Sequence, residues 1–396
     1  MSMSRAFDTD VFVIGGGPAG LAAAIAARQH GLRVMVADHD EPPIDKACGE
    51  GLMPDSLEVL AQLGVKLDPQ DVGTFRGIKF LGPQDSVAAE FPRGTGLGIR
   101  RLRLHQILVD YARALGIEML WRARVSLNNE ADTESESMLV VNSSRVRSRW
   151  LVGADGQNSR VRQWAGLLSG RVRARRFALR RHFRVLPWSE YVEIYWGRDC
   201  QAYVTPIAKD QLCVALISRR RLRSFEDGLA GFPELAERLR RAEAISGVRG
   251  AMSISQRLDQ VWRGRVALVG EASGSVDAIT GEGLAMAFRQ ALALAPALAA
   301  GDLASYAAAH RSISSLPEFM ARSMLLMDSS PLIRRRTLRA LSRRPALFAR
   351  MLAVHVGELP IKSFAAHGLL DLGWQMVVAS VSRAHTILSP GTKLRI

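Results

Sequence analysis

Apolar and polar positions follow two rhythms along the first half of the chain, one typical of buried strands and one typical of helices. Residues 10–14 are predicted to form a short buried strand, 18–29 an Ala-rich helix, and 33–37 a second, parallel strand. Leucines at helical spacing predict further helices over 54–63 and 104–115. Strands and helices in this order are typical of an α/β fold built around a Rossmann-like domain. Further strand-like runs follow at 122–127, 137–141 and 146–152.

From about residue 177 the pattern changes to β-branched or aromatic runs separated by turn residues. Such runs predict an antiparallel sheet facing a pocket, and they cover 180–185, 191–196, 201–207 and 211–218. A buried-strand pattern returns at 264–270 and a helix at 283–299, so the Rossmann-like domain is expected to be discontinuous. The predicted division is a nucleotide-binding domain over 1–176, an inserted substrate sheet over 177–262, the returning domain segment over 263–302, and a helical C-terminal region over 303–396.

The first of three glycine-rich segments lies between the first predicted strand and helix. It reads Gly15-x-Gly17-Pro18-Ala19-Gly20. The first glycine permits a tight turn, the second lets the backbone approach a pyrophosphate, and the third lets the helix pack on the strand. Asp38 ends the next predicted strand, where an acid can accept hydrogen bonds from a ribose hydroxyl. This fingerprint alone fits either FAD or NAD.

The other two segments resemble motifs of the class A flavin monooxygenases, the para-hydroxybenzoate hydroxylase-like superfamily. The segment with Asp155 and Gly156 resembles the family's DG motif, which lies beside the FAD pyrophosphate and is associated with the nicotinamide cofactor. Gly270-Glu271 resembles the GD motif, whose acid contacts the flavin ribityl chain, with Glu271 in place of the usual Asp. The resemblance implies a bound FAD and NAD(P)H as a transient electron donor.

Two more sites follow from the same resemblance. Gly281-x-Gly283-Leu284 resembles the loop and helix start beside the flavin pyrimidine edge, where backbone N–H groups can stabilise negative charge on the reduced cofactor. Arg101 begins an Arg-x-x-Leu sequence that resembles a helix start from which the Arg reaches the flavin side. Competing candidates for that role are Arg100 and Arg103.

Cys48-Gly49 lies after the second strand and resembles segments of geranylgeranyl reductases and of flavin monooxygenases close to them. Cys48 is either a flavin-proximal thiol influenced by Lys46 or a small buried residue. Geranylgeranyl reductases tend to carry Tyr-x-Trp-x-Phe-Pro on the substrate sheet, and this chain keeps only Tyr203 and Pro206 of such an element. Those two residues are the substrate-binding candidates. Flavin halogenases carry Trp-x-Trp-x-Ile-Pro, which this chain lacks, so halogenation is not expected.

Charge and cysteine content narrow the partners and the location. The chain has 53 basic and 38 acidic residues, a net charge of +15, but no nucleic-acid recognition module, so no nucleic-acid partner is expected. The basic charge leaves open a peripheral contact with a membrane or a contact with a carrier protein. The three cysteines lack metal-ligand spacing, which suits a cytoplasmic protein without a metal. No stretch offers about 20 uninterrupted apolar residues, so no membrane-spanning helix is expected.

These features together predict a cytoplasmic FAD-dependent monooxygenase that hydroxylates an aromatic or polyketide-like small molecule with NAD(P)H and O2. One alternative is a reductase of carbon–carbon double bonds in an isoprenoid or lipid. Another is a flavoprotein that modifies a partner protein or carrier-bound substrate, suggested by the basic C-terminal helices. The catalytic residue stays unknown, because His105 and His182 are candidates by residue type alone.

Overall fold

The computed structural model describes residues 7–127 and 137–360. The strands are β1 (Thr9–Ile14), β2 (Val34–Ala37), β3 (Gly51–Leu52), β4 (Val72–Phe75), β5 (Gly77–Leu81), β6 (Ser86–Glu90), β7 (Gly96–Ile99), β8 (Glu118–Leu120), β9 (Val125–Leu127), β10 (Ser137–Val141), β11 (Ser144–Gly153), β12 (Gly170–Arg184), β13 (Tyr191–Trp196), β14 (Cys200–Ala208), β15 (Gln211–Ser218), β16 (Glu243–Ala244), β17 (Arg249–Leu258), β18 (Trp262–Arg263), β19 (Val266–Leu268) and β20 (Gly274–Ser275). The helices are α1 (Pro18–Gln29), α2 (Pro54–Gln62), α3 (Arg101–Ala114), α4 (Arg160–Trp164), α5 (Phe225–Leu229), α6 (Pro233–Leu239), α7 (Gly283–Ala300), α8 (Leu303–Ser329), α9 (Pro331–Arg343) and α10 (Pro345–His355).

A largely parallel sheet forms the nucleotide-binding layer, in the order β18-β19-β11-β1-β2-β8. Strand β1 pairs in parallel with both β2 and β11, and β11 pairs in parallel with β19, which returns from late in the chain. Helices α1 and α7 bury their apolar side chains against this sheet in one core that includes Val11, Ile25 and Phe288. The α/β fold, and the strand–helix–strand unit at its start, are therefore confirmed.

The second sheet has the order β20-β17-β12-β15-β14-β13-β5-β6, and its pairs are antiparallel except for β13 with β5. Strands β5 and β6 come from before residue 177, and β12 runs across that boundary. The sequence did not predict these two strands, nor β4 and β7 of a small third sheet with β3. The domain boundaries themselves stay predictions.

Two element boundaries also differ from the sequence-based expectation. The helix expected from residue 104 begins at Arg101, and the strand expected over 122–127 is shortened to β9, which is divided from the preceding strand β8. The division falls at a turn in which Arg122 takes a left-handed conformation, with φ of 54°. An extended strand cannot continue through such a residue.

Helices α8, α9 and α10 cover one face of the second sheet. Phe80 of β5 and Trp196 of β13 pack against Phe348 of α10 in a shared apolar cluster, with ring centroids of Phe80 and Phe348 4.7 Å apart. The expected helical region is thus confirmed as far as His355. The part of this prediction that falls on residues 361–396 lies outside the described residues.

Within the described ranges, α7 is the one helix long and apolar enough to cross a membrane by length and composition alone. Its Phe288, Ala291 and Leu294 are fully buried in the nucleotide-binding core. Packing of this kind is also what the core helix of a globular protein shows.

Candidate functional site

The three glycine-rich segments meet at the carboxyl ends of β1, β11 and β19. Gly15 has φ of 112° and lies so close to the Ala154 carbonyl that a Cβ there would overlap it. Gly20 lies equally close to the Gly15 carbonyl, and Gly270 lies against the Ala19 methyl group. Only glycine fits such backbone approaches, so these positions hold the three segments together.

Other glycines of the predicted cofactor-binding segments border open space. A Cβ built on Gly17, Gly49, Gly281 or Gly283 would meet no described atom within 4 Å. Gly17 is also the N-cap of α1, and no side chain caps that helix start. An open cradle beside an uncapped helix N-terminus fits the pyrophosphate of a dinucleotide.

Asp38 lies against the turn between β1 and α1. Its Oδ2 accepts a hydrogen bond from the Gly16 amide at 2.6 Å. His105 also contacts this turn. It is fully buried, and its Nε2 lies 2.8 Å from the Gly16 carbonyl oxygen. Burial lowers the pKa of His105, so the ring stays neutral and donates from Nε2. His105 therefore positions the glycine turn.

Asp155 orders its own loop. Its carboxylate accepts hydrogen bonds from Ser159 Oγ at 2.5 Å and from the amides of Arg160 and Val161 at 2.7 and 3.2 Å. These bonds fix the start of α4, and the buried Arg162 in that helix donates to the Ala272 carbonyl at 3.2 Å. Asp155 thus fixes the shape of the loop that contains Gly156.

A buried polar network fixes the segment around Gly270. The Gly270 amide donates to Gln290 Oε1 at 2.8 Å, and the Gln290 amide nitrogen lies 3.1 Å from His310 Nε2. His310 Nε2 also lies 2.9 Å from Ser273 Oγ. Burial lowers the pKa of His310 to about 4, so the ring is neutral at physiological pH. Helices α7 and α8 therefore set the position of this motif.

Glu271 forms an ion pair with Lys46 at 2.5 Å. Both side chains are about two-fifths exposed (43% and 41%), so the pair contributes little to stability. Lys46 therefore binds the Gly270-Glu271 segment and does not pair with Cys48. Burial raises the pKa of the Cys48 thiol, with the attraction of Arg101 opposing it, so Cys48 is a thiol and not a thiolate at neutral pH.

Glu50, which the sequence analysis did not single out, is the most constrained residue of this region. It is buried and has a left-handed backbone with φ of 61°. Its Oε2 lies 2.7 Å from Nε2 of the buried His182, and its Oε1 accepts a bond from the Arg101 amide at 2.9 Å. Arg101 thus contacts this segment through its backbone. A strained, buried acid paired with a histidine is typical of a functional position.

The tautomer of His182 follows from its other contacts. Its Nδ1 lies 3.2 Å from guanidinium nitrogens of both Arg100 and Arg180, and guanidinium groups can only donate. Nδ1 therefore accepts, and Nε2 carries the proton and donates it to Glu50. Cys213 lies close enough to complete a three-ligand group with Glu50 and His182, but the two guanidinium groups disfavour a cation there.

The two substrate-binding candidates lie on β14. Tyr203 is buried and donates a hydrogen bond of 2.7 Å to the Ile279 carbonyl, in the turn that precedes Gly281. The Pro206 carbonyl is packed against Gly73 and Gly98 of the third sheet. Pro206 also borders a groove of about 790 Å³, whose other lining residues include Val72, Trp188, Tyr191 and Lys209. Their role toward substrate stays a prediction.

Residues 8–302 match the family described as FAD binding domain. The chain belongs to this family of flavin-dependent oxidoreductases, and the family supports FAD as its cofactor.

Relatives of known activity include both reductases and an oxygenase. The chain is 28% identical to menaquinone reductase of Mycobacterium tuberculosis over 336 residues, 76% of this chain and 79% of that protein. It is 26% identical to digeranylgeranylglycerophospholipid reductase of Thermoplasma volcanium over 302 residues, 70% of this chain and 74% of that protein. It is 32% identical to rifampicin monooxygenase of Streptomyces venezuelae over 165 residues, 40% of this chain and 34% of that protein. The match thus spans about a third of the oxygenase.

Solved structures show the same fold. A flavoprotein/dehydrogenase from Cytophaga hutchinsonii has a TM-score of 0.78 at 17% identity, covering 95% of this chain and 99% of its own. The flavin-dependent halogenase CmlS has a TM-score of 0.70 at 22% identity. That match covers 79% of this chain and 63% of the halogenase chain. At these identities the likeness concerns the fold alone.

Proposed function

We propose that the protein is an FAD-dependent reductase of carbon–carbon double bonds in an isoprenoid or other lipid-like substrate, with NAD(P)H as electron donor. The observation that carries the proposal is the buried pair that Glu50, in the Cys48–Gly51 segment, forms with His182 of β12. Reducing a double bond requires a hydride at one carbon and a proton at the other, and bound FAD supplies the hydride. The protein must supply the proton through a positioned side chain.

The Glu50–His182 pair is suited to that role. The proton on Nε2 of His182 lies on a 2.7 Å hydrogen bond to Glu50, and both side chains are at most 2% exposed. Arg180 and Arg100 keep the proton on Nε2 by occupying Nδ1. In the proposed step Glu50 takes a proton from water, delivers it to the second carbon, and returns to the carboxylate that Nε2 of the neutral His182 hydrogen-bonds. Gly49 beside Glu50 leaves room for a ring or substrate.

The share of each chain that is covered by the matches to relatives also supports a reductase. Both reductases match over more than two-thirds of each chain, whereas the oxygenase match covers 34% of that protein. We propose these residues as the FAD-binding set, with Tyr203 and Pro206 beside the substrate: Gly15, Gly17, Pro18, Ala19, Gly20, Asp38, Cys48, Gly49, Arg101, Asp155, Gly156, Gly270, Glu271, Gly281, Gly283 and Leu284. A cytoplasmic location is part of this proposal.

A monooxygenase that hydroxylates an aromatic or polyketide-like molecule with NAD(P)H and O2 is the second candidate. The 32% identity to rifampicin monooxygenase favours it. So does the departure of the segment around Tyr203 and Pro206 from the Tyr-x-Trp-x-Phe-Pro element of geranylgeranyl reductases. Modification of a carrier-bound substrate stays a third prediction, supported by the arginines of α9.

The test is anaerobic reoxidation of the flavin. The FAD-loaded protein is reduced with dithionite and mixed, without oxygen, with digeranylgeranylglycerophospholipid in detergent micelles, because this lipid has isoprenoid double bonds and no quinone ring that could take the electrons instead. We expect visible flavin absorbance to return and Glu50→Gln and His182→Gln to slow that return by about 10²-fold or more, the range of general acid catalysis. Glu193→Gln is the matched control, because it removes a buried carboxylate that bonds Trp188 and Tyr195 instead. Equal rates in all variants would remove the pair from the proposal.

A further inference from the structure

A second buried carboxylate lies between the open glycines at 281 and 283. Glu282 is the N-cap residue of α7 and is 1% exposed. Neither of its carboxylate oxygens has a hydrogen-bond partner in the ranges that the structure describes. A buried carboxylate without such partners carries a large desolvation cost, so its presence calls for an explanation beyond packing.

The groups that face Glu282 come from three helices. His355 of α10 has its Nδ1 3.8 Å from Glu282 Oε2, too far for a hydrogen bond. Asp55 of α2 and Arg289 of α7 complete the surroundings, and these two form an ion pair with each other. Asp55 Oδ1 and His355 Nδ1 also lack hydrogen-bond partners among the described residues. Three polar groups without partners therefore converge on one buried point.

Burial sets the charge of this cluster. Burial, and next the repulsion of Asp55, raise the pKa of Glu282 to about 8, while the attraction of Arg289 opposes the change. Burial also raises the pKa of Asp55 and lowers the pKa of His355. At neutral pH Glu282 is thus predominantly a neutral acid, and His355 is a neutral ring that can accept or donate.

We propose that Glu282 is a proton-holding residue beside the flavin, taking up a proton when the flavin is reduced and releasing it on reoxidation. The proposal rests on FAD binding at Gly281 and Gly283 and not on the identity of the substrate. Reduction places negative charge on the cofactor, and a negative charge nearby disfavours the ionised form of Glu282.

The step balances as follows. The hydride donor passes two electrons and one proton to the flavin, and the ionised Glu282 takes a second proton from water. On reoxidation the electrons and the first proton go to the oxidant, and Glu282 returns its proton to water. Proton uptake occurs in the pH range where Glu282 is ionised beside the oxidised flavin and neutral beside the reduced flavin. This range begins near the Glu282 pKa of about 8.

The test is the midpoint potential of the FAD-loaded protein as a function of pH, from about 8 to about 9.5, measured against redox dyes. For a two-electron couple each proton taken up contributes about 30 mV per pH unit. We expect a slope of about 59 mV per pH unit in the wild type and about 30 mV in Glu282→Gln. The control Glu193→Gln should keep the wild-type slope, since its contacts are with Lys79, Trp188 and Tyr195.

Equal slopes for wild type and Glu282→Gln would overturn the proposal. If Glu282→Gln does not fold, the infrared difference spectrum between oxidised and reduced wild type decides instead. A change in the protonated-carboxyl band is expected, and its absence would overturn the proposal. Protein that retains no FAD would refute the shared cofactor assignment. Failure to reduce isoprenoid double bonds would refute the substrate proposal and leave this slope unaffected.

Discussion

Tyr203 of β14 donates a 2.7 Å hydrogen bond to the carbonyl oxygen of Ile279, and this bond joins the second sheet to the turn before Gly281. Both residues are buried, with Ile279 fully enclosed. Through this bond Tyr203 positions the loop that is proposed to contact the flavin. Its expected contact with substrate is a separate property that stays a prediction.

Tyr203→Phe is expected to destabilise the protein by about 1–3 kcal/mol, because the buried Ile279 carbonyl loses its partner. We also expect weaker FAD retention, since the turn before Gly281 is then less fixed. Urea unfolding and FAD titration measure the two effects. Tyr191→Phe is the control, because its hydroxyl makes an exposed 3.4 Å contact with Glu90. The same loss in both variants would contradict the positioning role.

Gly17→Val is expected to abolish FAD retention while leaving the fold of the FAD-free protein intact. A side chain at Gly17 enters open space, the space proposed for the pyrophosphate, and its φ of −70° accepts a non-glycine residue. Far-UV circular dichroism and flavin absorbance after gel filtration report the two properties. Gly247→Val also adds a side chain in open space and should keep its FAD. A yellow Gly17→Val protein would contradict the assignment.

Glu282→Gln is expected to change how stability depends on pH in the FAD-free protein. The folded protein holds the Glu282 proton up to about pH 8, whereas an unfolded Glu loses it near pH 4.3. Between these values the folded state binds more protons, so this residue makes the free energy of unfolding fall as pH rises. Relative to wild type, the variant should therefore gain stability with rising pH, by at most about 1.4 kcal/mol per pH unit. A constant difference in urea unfolding would contradict a protonated Glu282.

Cys48 is expected to react slowly with iodoacetamide at neutral pH, because burial raises the pKa of its thiol and leaves little thiolate. Cys48→Ala should keep its FAD and remain reducible. Peptide mass mapping after alkylation gives the reactivity of each cysteine. Rapid, FAD-protected alkylation of Cys48 would instead support the redox-active thiol.

The nucleotide-binding unit could be predicted because its apolar periods and its glycine turn are local features. The helix over 18–29 was correct to the residue. Strands β4 to β7 could not be predicted in this way. They are four or five residues long and contain Gly73, Gly77, Gly96 and Gly98, and two of these, Gly73 and Gly98, are packed against the backbone of Pro206 in β14. Such packing is set by tertiary contacts and not by a local period.

The two acids that the sequence analysis left aside share a signal that it contained. Glu50 and Glu282 each lie within a Gly-Glu-Gly-Leu tetrapeptide, at 49–52 and 281–284. An acid between two glycines in a predicted loop normally faces solvent, so burial was not expected. The partners explain the outcome, because His182 and His355 are 132 and 73 positions away along the chain. No pattern within either tetrapeptide specifies those contacts.

Reduction of carbon–carbon double bonds is tested most directly by the mass of the product formed from menaquinone by the FAD-loaded enzyme, with NADPH and isotopically labelled O2 present. After air has returned any quinol to the quinone, we predict a product whose isoprenoid side chain has gained two hydrogen atoms and that carries no label. A product that carries an atom of labelled oxygen would contradict the reductase and identify a monooxygenase.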